Sequence, residues 1–182
     1  MTRRLTYAAL AAVLLAAGTS CTGDSVSGVP TQPPASTLSI PLLGGTSAPT
    51  LLQCEPPATA DSVTSVIGAL GGTLSLGATS VVIPQNAVLV PTTFTLTVPA
   101  SRLVEISVKA AGTDHYLFQQ PVIVTIDYGR CAGSLSLLTP VTAWHIDEVT
   151  KAPLEPMLGL DVRLLHTIAF YTGHLSGYAV AD

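Results

Sequence analysis

The sequence predicts an all-β fold, an antiparallel β-sandwich, and three observations carry that expectation. Short runs of β-branched and apolar residues alternate with polar ones, as in Thr92-Thr93-Phe94-Thr95-Leu96-Thr97-Val98. The chain's 15 glycines and 14 prolines punctuate these runs at close intervals. No stretch after residue 20 repeats with the period of a helix. Many short strands between frequent turn signals form a sandwich, because each strand has one face to bury against a second sheet.

Residues 1–20 begin with Thr2-Arg3-Arg4, continue as an apolar run from Leu5 to Ala17, and end in Gly18-Thr19-Ser20 before Cys21. A positive start, a short apolar run and small residues before a cut are a secretory signal. The run is too short for a bilayer span, which takes about 20 apolar residues. The junction resembles the lipobox of bacterial lipoproteins, whose cysteine receives a diacylglyceryl thioether and becomes the new N-terminus. Gly18 stands where that family usually has Leu. The resemblance makes Cys21 the expected lipidation site and the membrane a partner through the lipid anchor. Residues 21–50, with Pro33-Pro34 and Gly44-Gly45, are rich in Pro, Ser, Thr and Gly and read as a tether.

Residues 51–182 are expected to form the sandwich. Strands are predicted over 62–67, 73–76, 80–83, 92–98, 103–109, 114–118, 121–128, 140–146, 154–158, 163–170 and 176–181. Gly71-Gly72 is expected to return the chain, Gly77-Ala78 to turn it again, and Pro84, with no amide hydrogen, to stop pairing. Within 92–98, Phe94, Leu96 and Val98 face inward and the threonines outward. Trp144 is expected in the core and Asp127 at solvent.

Charged residues make up 10% of the chain and hydrophobic residues 48%, so the apolar content has to be packed in a core. Without Arg3 and Arg4 the exported part keeps Arg102, Lys109, Arg130, Lys151 and Arg163 against a larger set of Asp and Glu. That acidic balance repels phosphate backbones, and no basic patch is interleaved with aromatics, so no nucleic acid partner is expected. Of the 3 cysteines, lipidation of Cys21 leaves an even pair in an oxidising compartment, and a Cys54–Cys131 disulfide is expected.

Several motifs resemble the ZU-five domain, a module named from zonula occludens proteins and netrin receptors. Gly71-Gly72-Thr73-Leu74 followed by Val82-Ile83-Pro84-Gln85-Asn86-Ala87-Val88 is similar to its glycine corner and its Ile-Pro-x-Gly-Ala-Leu turn. Phe118-Gln119-Gln120-Pro121-Val122, Trp144-His145-Ile146-Asp147 and His174-Leu175-Ser176-Gly177-Tyr178-Ala179-Val180 are similar to later pieces, so the likeness runs from about Val63 to the C-terminus. Asn86 replaces the family's glycine, and Asn tolerates positive φ better than other non-glycine residues. The resemblance implies a β-sandwich on a bacterial envelope lipoprotein, with no enzyme activity attached to the group.

His174-Leu175-Ser176 also resembles a His-Phe-Ser triplet that supports self-cleavage in some members. Carried over, Ser176 attacks the Leu175 carbonyl, His174 serves as base or orienter, and water opens the ester. Such a reaction needs a strained peptide bond and an oxyanion stabiliser, and the sequence supplies neither, so no catalytic residue is assigned. His115, His145 and His166 stand on separate segments without metal-ligand spacing, and no metal or cofactor is expected. Asp147, Glu148 and Glu155 with Lys151 between them read as a solvated turn rather than as a carboxylate pair for glycoside hydrolysis.

The expected function is therefore that of a non-enzymatic, lipid-anchored envelope protein, exported from a bacterial cell and carrying a structural or protein-interaction module. The outer membrane is the expected site in a Gram-negative cell. The alternatives are a self-processing domain cut between Leu175 and Ser176, and a small-ligand or glycan-binding module. Acyl chains bury methylenes at about 0.8 kcal/mol each. Cys21→Ser is therefore expected to move the exported protein from the membrane to the soluble fraction on fractionation. Retention on the membrane would exclude this anchor.

Overall fold

Alternation along each segment sorts side chains between two sheets and a shared interior. A computed structural model describes residues 48–113, 115–136 and 140–182. The expectations for the signal, for Cys21 and for the tether up to residue 47 lie outside the described residues. The eleven strands among the described residues are β1 (Asp61–Ile67), β2 (Gly72–Leu76), β3 (Thr79–Ile83), β4 (Thr92–Val98), β5 (Glu105–Ala110), β6 (Leu117–Asp127), β7 (Thr142–Ile146), β8 (Pro153–Met157), β9 (Gly159–Val162), β10 (Thr167–His174) and β11 (Gly177–Ala181). A six-stranded sheet runs β1-β4-β5-β11-β7-β8, and a five-stranded sheet runs β2-β3-β6-β10-β9. Neighbouring strands are antiparallel throughout. The protein is an all-β antiparallel sandwich.

The core lies between the sheets. Phe94, Leu96, Ile106 and Val108 come from one side, and Leu74, Val81, Val124, Ile126, Ile168 and Phe170 from the other, all buried. Fully burying each such side chain is worth about 1.5–3 kcal/mol against leaving it in water. Phe94, Tyr116 and Phe118 form an aromatic cluster with ring centroids 5.1 to 5.8 Å apart. With these filling the interior, Trp144 is not in the core. It lies half-buried on the outer face of β7, and its indole N–H donates to Thr142 Oγ1 at 3.0 Å.

Gly71 has φ of +76°, and a Cβ there would overlap the Ile83 carbonyl and the Pro84 backbone. The corner does not return the chain within one sheet. It carries it from β1 in the six-stranded sheet to β2 in the five-stranded one. Gly77-Ala78 does make the expected hairpin: Leu76 faces Thr79, and positive φ at the first turn residue alone is the type II′ requirement. After β3 stops at Pro84, Asn86 takes φ of 63°, and its N–H donates to the Ala69 carbonyl at 2.8 Å. The two loops are thereby tied together, with Ala87 and Val88 fully buried beneath.

Two segments differ from expectation. β6 is a single strand through Pro121, and proline is tolerated because the β6–β10 register shifts between Thr172 and His174, where a ladder donor is not needed. Residues 163–170 are not one strand. Arg163–Leu165 form a 3₁₀ turn, His166 adopts φ of 52°, and β9 precedes them as an extra strand.

Before β1, residues 51–54 wedge into the gap where β5 and β11 diverge. Leu52 donates its N–H to Val180 at 2.7 Å, and its carbonyl accepts from Val104 at 3.0 Å. Cys54 is bonded to Cys131 across a sequence separation of 77, with Cα atoms 5.4 Å apart. Closing a loop of that length stabilises the fold by about 4 kcal/mol in the chain-entropy account. Arg130 reinforces the junction by donating to the carbonyls of Glu55, Ser101 and Leu103.

A Cβ at Gly77 meets nothing within 4 Å, whereas one at Gly71 meets backbone. Gly77→Ala is expected to cost about 1 kcal/mol, the left-handed penalty alone. Gly71→Ala is expected to cost about 3 kcal/mol, because backbone has to shift as well. Urea denaturation of the two variants ranks them, and equal costs would remove the crossing constraint at Gly71.

Candidate functional site

At one end of the sandwich the chain crosses from β10 to β11, carrying His174, Leu175 and Ser176 between the sheets. His145 stands opposite Tyr178 in the β7–β11 ladder. The crossing therefore brings His174 against His145, with ring centroids 5.0 Å apart and planes at 67°. Both rings line a cavity of about 390 Å³ together with His115, Ser176, Lys109 and Glu148. Three of the protein's 4 histidines thus meet at one site. His166 stays apart, edge-on to Tyr128 at 5.9 Å.

The polar groups behind the pair hold His174 in place. Tyr178 Oη donates to the His174 carbonyl at 2.6 Å and lies 3.0 Å from Thr172 Oγ1. Burial pushes the Tyr178 phenol up to about 12, with Glu155 adding to the rise, so it remains a donor at neutral pH. Thr172 Oγ1 accepts the His174 N–H at 3.3 Å and stands 3.4 Å from His174 Nδ1. Burial lowers the pKa of His145, the neighbouring His174 lowers it further, and Glu155 opposes them. His145 is consequently neutral at neutral pH.

The three residues of the self-cleavage expectation, His174, Leu175 and Ser176, run from the end of β10 to the start of β11. The His174 ring faces His145, Thr172 and Tyr178, and no hydrogen bond joins it to Ser176 among the described residues. Leu175 is buried and donates its N–H to Tyr116 at 3.1 Å, while Ser176 accepts at its carbonyl from Val108 at 3.2 Å. None of the three has positive φ. Among the described residues no three His, Cys, Asp or Glu side chains converge on a metal position.

The acidic turn between β7 and β8 folds over the outer face of the six-stranded sheet. Asp147 Oδ1 accepts from the Val149 N–H, the Thr150 N–H and the Thr150 hydroxyl, at 3.0, 2.6 and 2.9 Å, and these bonds hold its carboxyl below the usual range. Burial pushes the Glu148 carboxyl up, but bonds from Lys109 at 2.8 Å and Ser107 at 2.7 Å outweigh it and leave the pKa lowered. Lys151, with φ of 61°, reaches the buried Glu105 at 2.5 Å. Asp147 and Glu148 are thus both engaged, and Glu155 stands opposite His145 in the β7–β8 ladder. Asp127 is exposed, as expected, and its Oδ1 accepts the Gly129 N–H at 2.7 Å.

Sequence reasoning missed two further arrangements. Tyr128, buried beside Cys131, donates to Asp161 Oδ1 at 2.5 Å, and Arg163 holds the other Asp161 oxygen at 2.5 Å. Burial and then Asp161 raise the Tyr128 phenol to about 12. The second is the Arg130 clamp on the residues after Cys54. Spacing carries no signal for the Tyr128–Asp161 bond or for the clamp, since partners 27 to 75 positions apart meet only through strand order.

The His145 shift has a definite sign. Its folded pKa lies below the ordinary 6.5, so between those values the unfolded chain binds more protons and stability falls as pH falls. His145→Gln is expected to flatten this acid-side loss, measured as the change in urea midpoint between about pH 7.5 and pH 5. An unchanged pH slope would mean that His145 does not titrate differently on folding. No family model matches this chain, and no curated protein matches it.

Proposed function

We propose that this chain is an exported envelope lipoprotein, anchored through Cys21, whose sandwich is a non-enzymatic protein-interaction module resembling a ZU-five domain. The observation that carries the interaction reading is a rim of bare leucines along the edge formed by β8, β9 and the following turn. Leu158 and Leu164 are each 94% exposed, and Leu154, Leu160 and Leu165 lie exposed beside them in the chain. Single exposed apolar residues are ordinary, but a run of them along one edge marks a surface that another protein covers. The signal and lipobox-like junction support the envelope reading. Among the described residues no hydrogen bond joins the His174 ring to Ser176, which argues against self-processing.

The cavity beside His145 and His174 favours one second reading, a small-ligand site, because 390 Å³ is within the usual range for such pockets. The two readings share Leu154, which also lines the cavity, but Leu158 and Leu164 do not line it, so variants at those positions separate the readings. Leu158→Asp/Leu164→Asp is expected to weaken partner capture from envelope extracts by about tenfold or more. His145→Ala/His174→Ala is expected to leave capture unchanged. Undiminished capture by the leucine variant, with its circular dichroism intact, would exclude the rim as the interaction surface.

A further inference from the structure

We propose that β1 is a strand-pairing edge through which two copies of this chain join their six-stranded sheets into one continuous sheet. β1 is 7 residues long and pairs with β4 over its whole length without a bulge. It ends the sheet order, and among the described residues no backbone bond reaches its other side. Edge strands that avoid pairing carry proline, lysine, a bulge or very short length. Two of the other three edges show such devices: β8 carries Pro153 and Pro156 beside a register shift, and β9 has only 4 residues. β1, Asp-Ser-Val-Thr-Ser-Val-Ile, has only the charge of Asp61 at its first position, where Oδ1 accepts the Ser62 N–H at 2.8 Å, and is free of proline, lysine and bulge over the other six.

The residues of β1 favour a second copy as the occupant. A two-fold antiparallel pairing centred on Thr64 sets Thr64 against Thr64, Val63 against Ser65, Ser62 against Val66 and Asp61 against Ile67 of the mate. The strand's one charged residue, Asp61, then meets an aliphatic side chain and lies at the opposite end from its equivalent, so like charges never face each other. On the outer face Thr64 Oγ1 is already hydrogen-bonded to Thr95 Oγ1 at 2.9 Å, in register across β1 and β4. Pairing at Thr64 extends that threonine ladder across the dimer axis. It also covers Val66, which is 67% exposed in the single chain.

The test is concentration-dependent sedimentation of the full chain carrying Cys21→Ser, which removes the free thiol. The expected result is a reversible dimer that Thr64→Lys weakens by about tenfold or more, since two ammonium groups then face each other across the axis. Thr64→Cys in the same background is expected to form a covalent dimer on mild oxidation, whereas Thr73→Cys, on exposed β2, is not. A monomer at concentrations up to about 100 μM overturns the proposal, as does a dimer indifferent to Thr64→Lys or a Thr64→Cys chain that fails to cross-link. Binding of an added extended peptide by a chain that stays monomeric would assign the edge to a different occupant and also overturn it. Circular dichroism of Thr64→Lys confirms that the exposed substitution leaves the fold intact.

Discussion

The sandwich depends on one place where two loops touch without room for a side chain. At Gly71 the backbone presses against the Ile83 carbonyl and the start of the Pro84 turn, and the chain passes from one sheet to the other. That contact sets how β1 and β2, the first strands of the two layers, stand relative to each other. The tie from Asn86 to Ala69 locks the same corner from the other loop. Once the corner is set, Leu74, Val81 and Ile83 point into the interior opposite Phe94 and Leu96, and close packing of those side chains follows.

Local chemistry was legible in the residues, and long-range meeting was not. Thr92–Val98 alternates so cleanly that its faces follow from the sequence, and Gly77-Ala78 announces its turn. Asn86 takes positive φ where its type allows it. The disulfide between Cys54 and Cys131 could be expected because few cysteines remained to pair. The split of 163–170 was hidden because the left-handed backbone at His166 leaves no mark on hydrophobic alternation. Trp144 was misplaced because its size argued for burial, whereas the strand parity set by Val141 and Ala143 puts their side chains inside and leaves the indole outside. His145 and His174 are 29 residues apart by subtraction of their positions, and only the β10–β11 crossing makes them neighbours.

The polar groups divide between two faces with different electrostatic logic. At the end of the sandwich, two imidazoles share a partly buried space with the phenol of Tyr178, and among the described residues no carboxylate is hydrogen-bonded to the His145 ring, so burial favours the uncharged form of His145. On the outer face of the six-stranded sheet, carboxylates and ammonium groups are paired. Glu105 is nearly inaccessible and depends on Lys151 for its partner, while Glu148 has both Lys109 and Ser107. The left-handed backbone at Lys151 is what turns that ammonium back over the sheet. Stability of the turn and charge balance of the sheet face are therefore one arrangement.

The wedge at residues 51–54 has a mechanical meaning. Thr50 accepts the Asp182 N–H, and Leu51 bridges Ala181, so entry and exit of the folded region lie side by side. A pull applied at Thr50 loads these backbone bonds one after another, the peeling direction in which an antiparallel pair is weakest. The covalent link at Cys54 stops that peeling four residues in, by subtraction from Thr50, and passes the load to Cys131 beyond β6. The domain would thus withstand tension applied at Thr50 through a bond rather than through its hydrogen-bonded ladder.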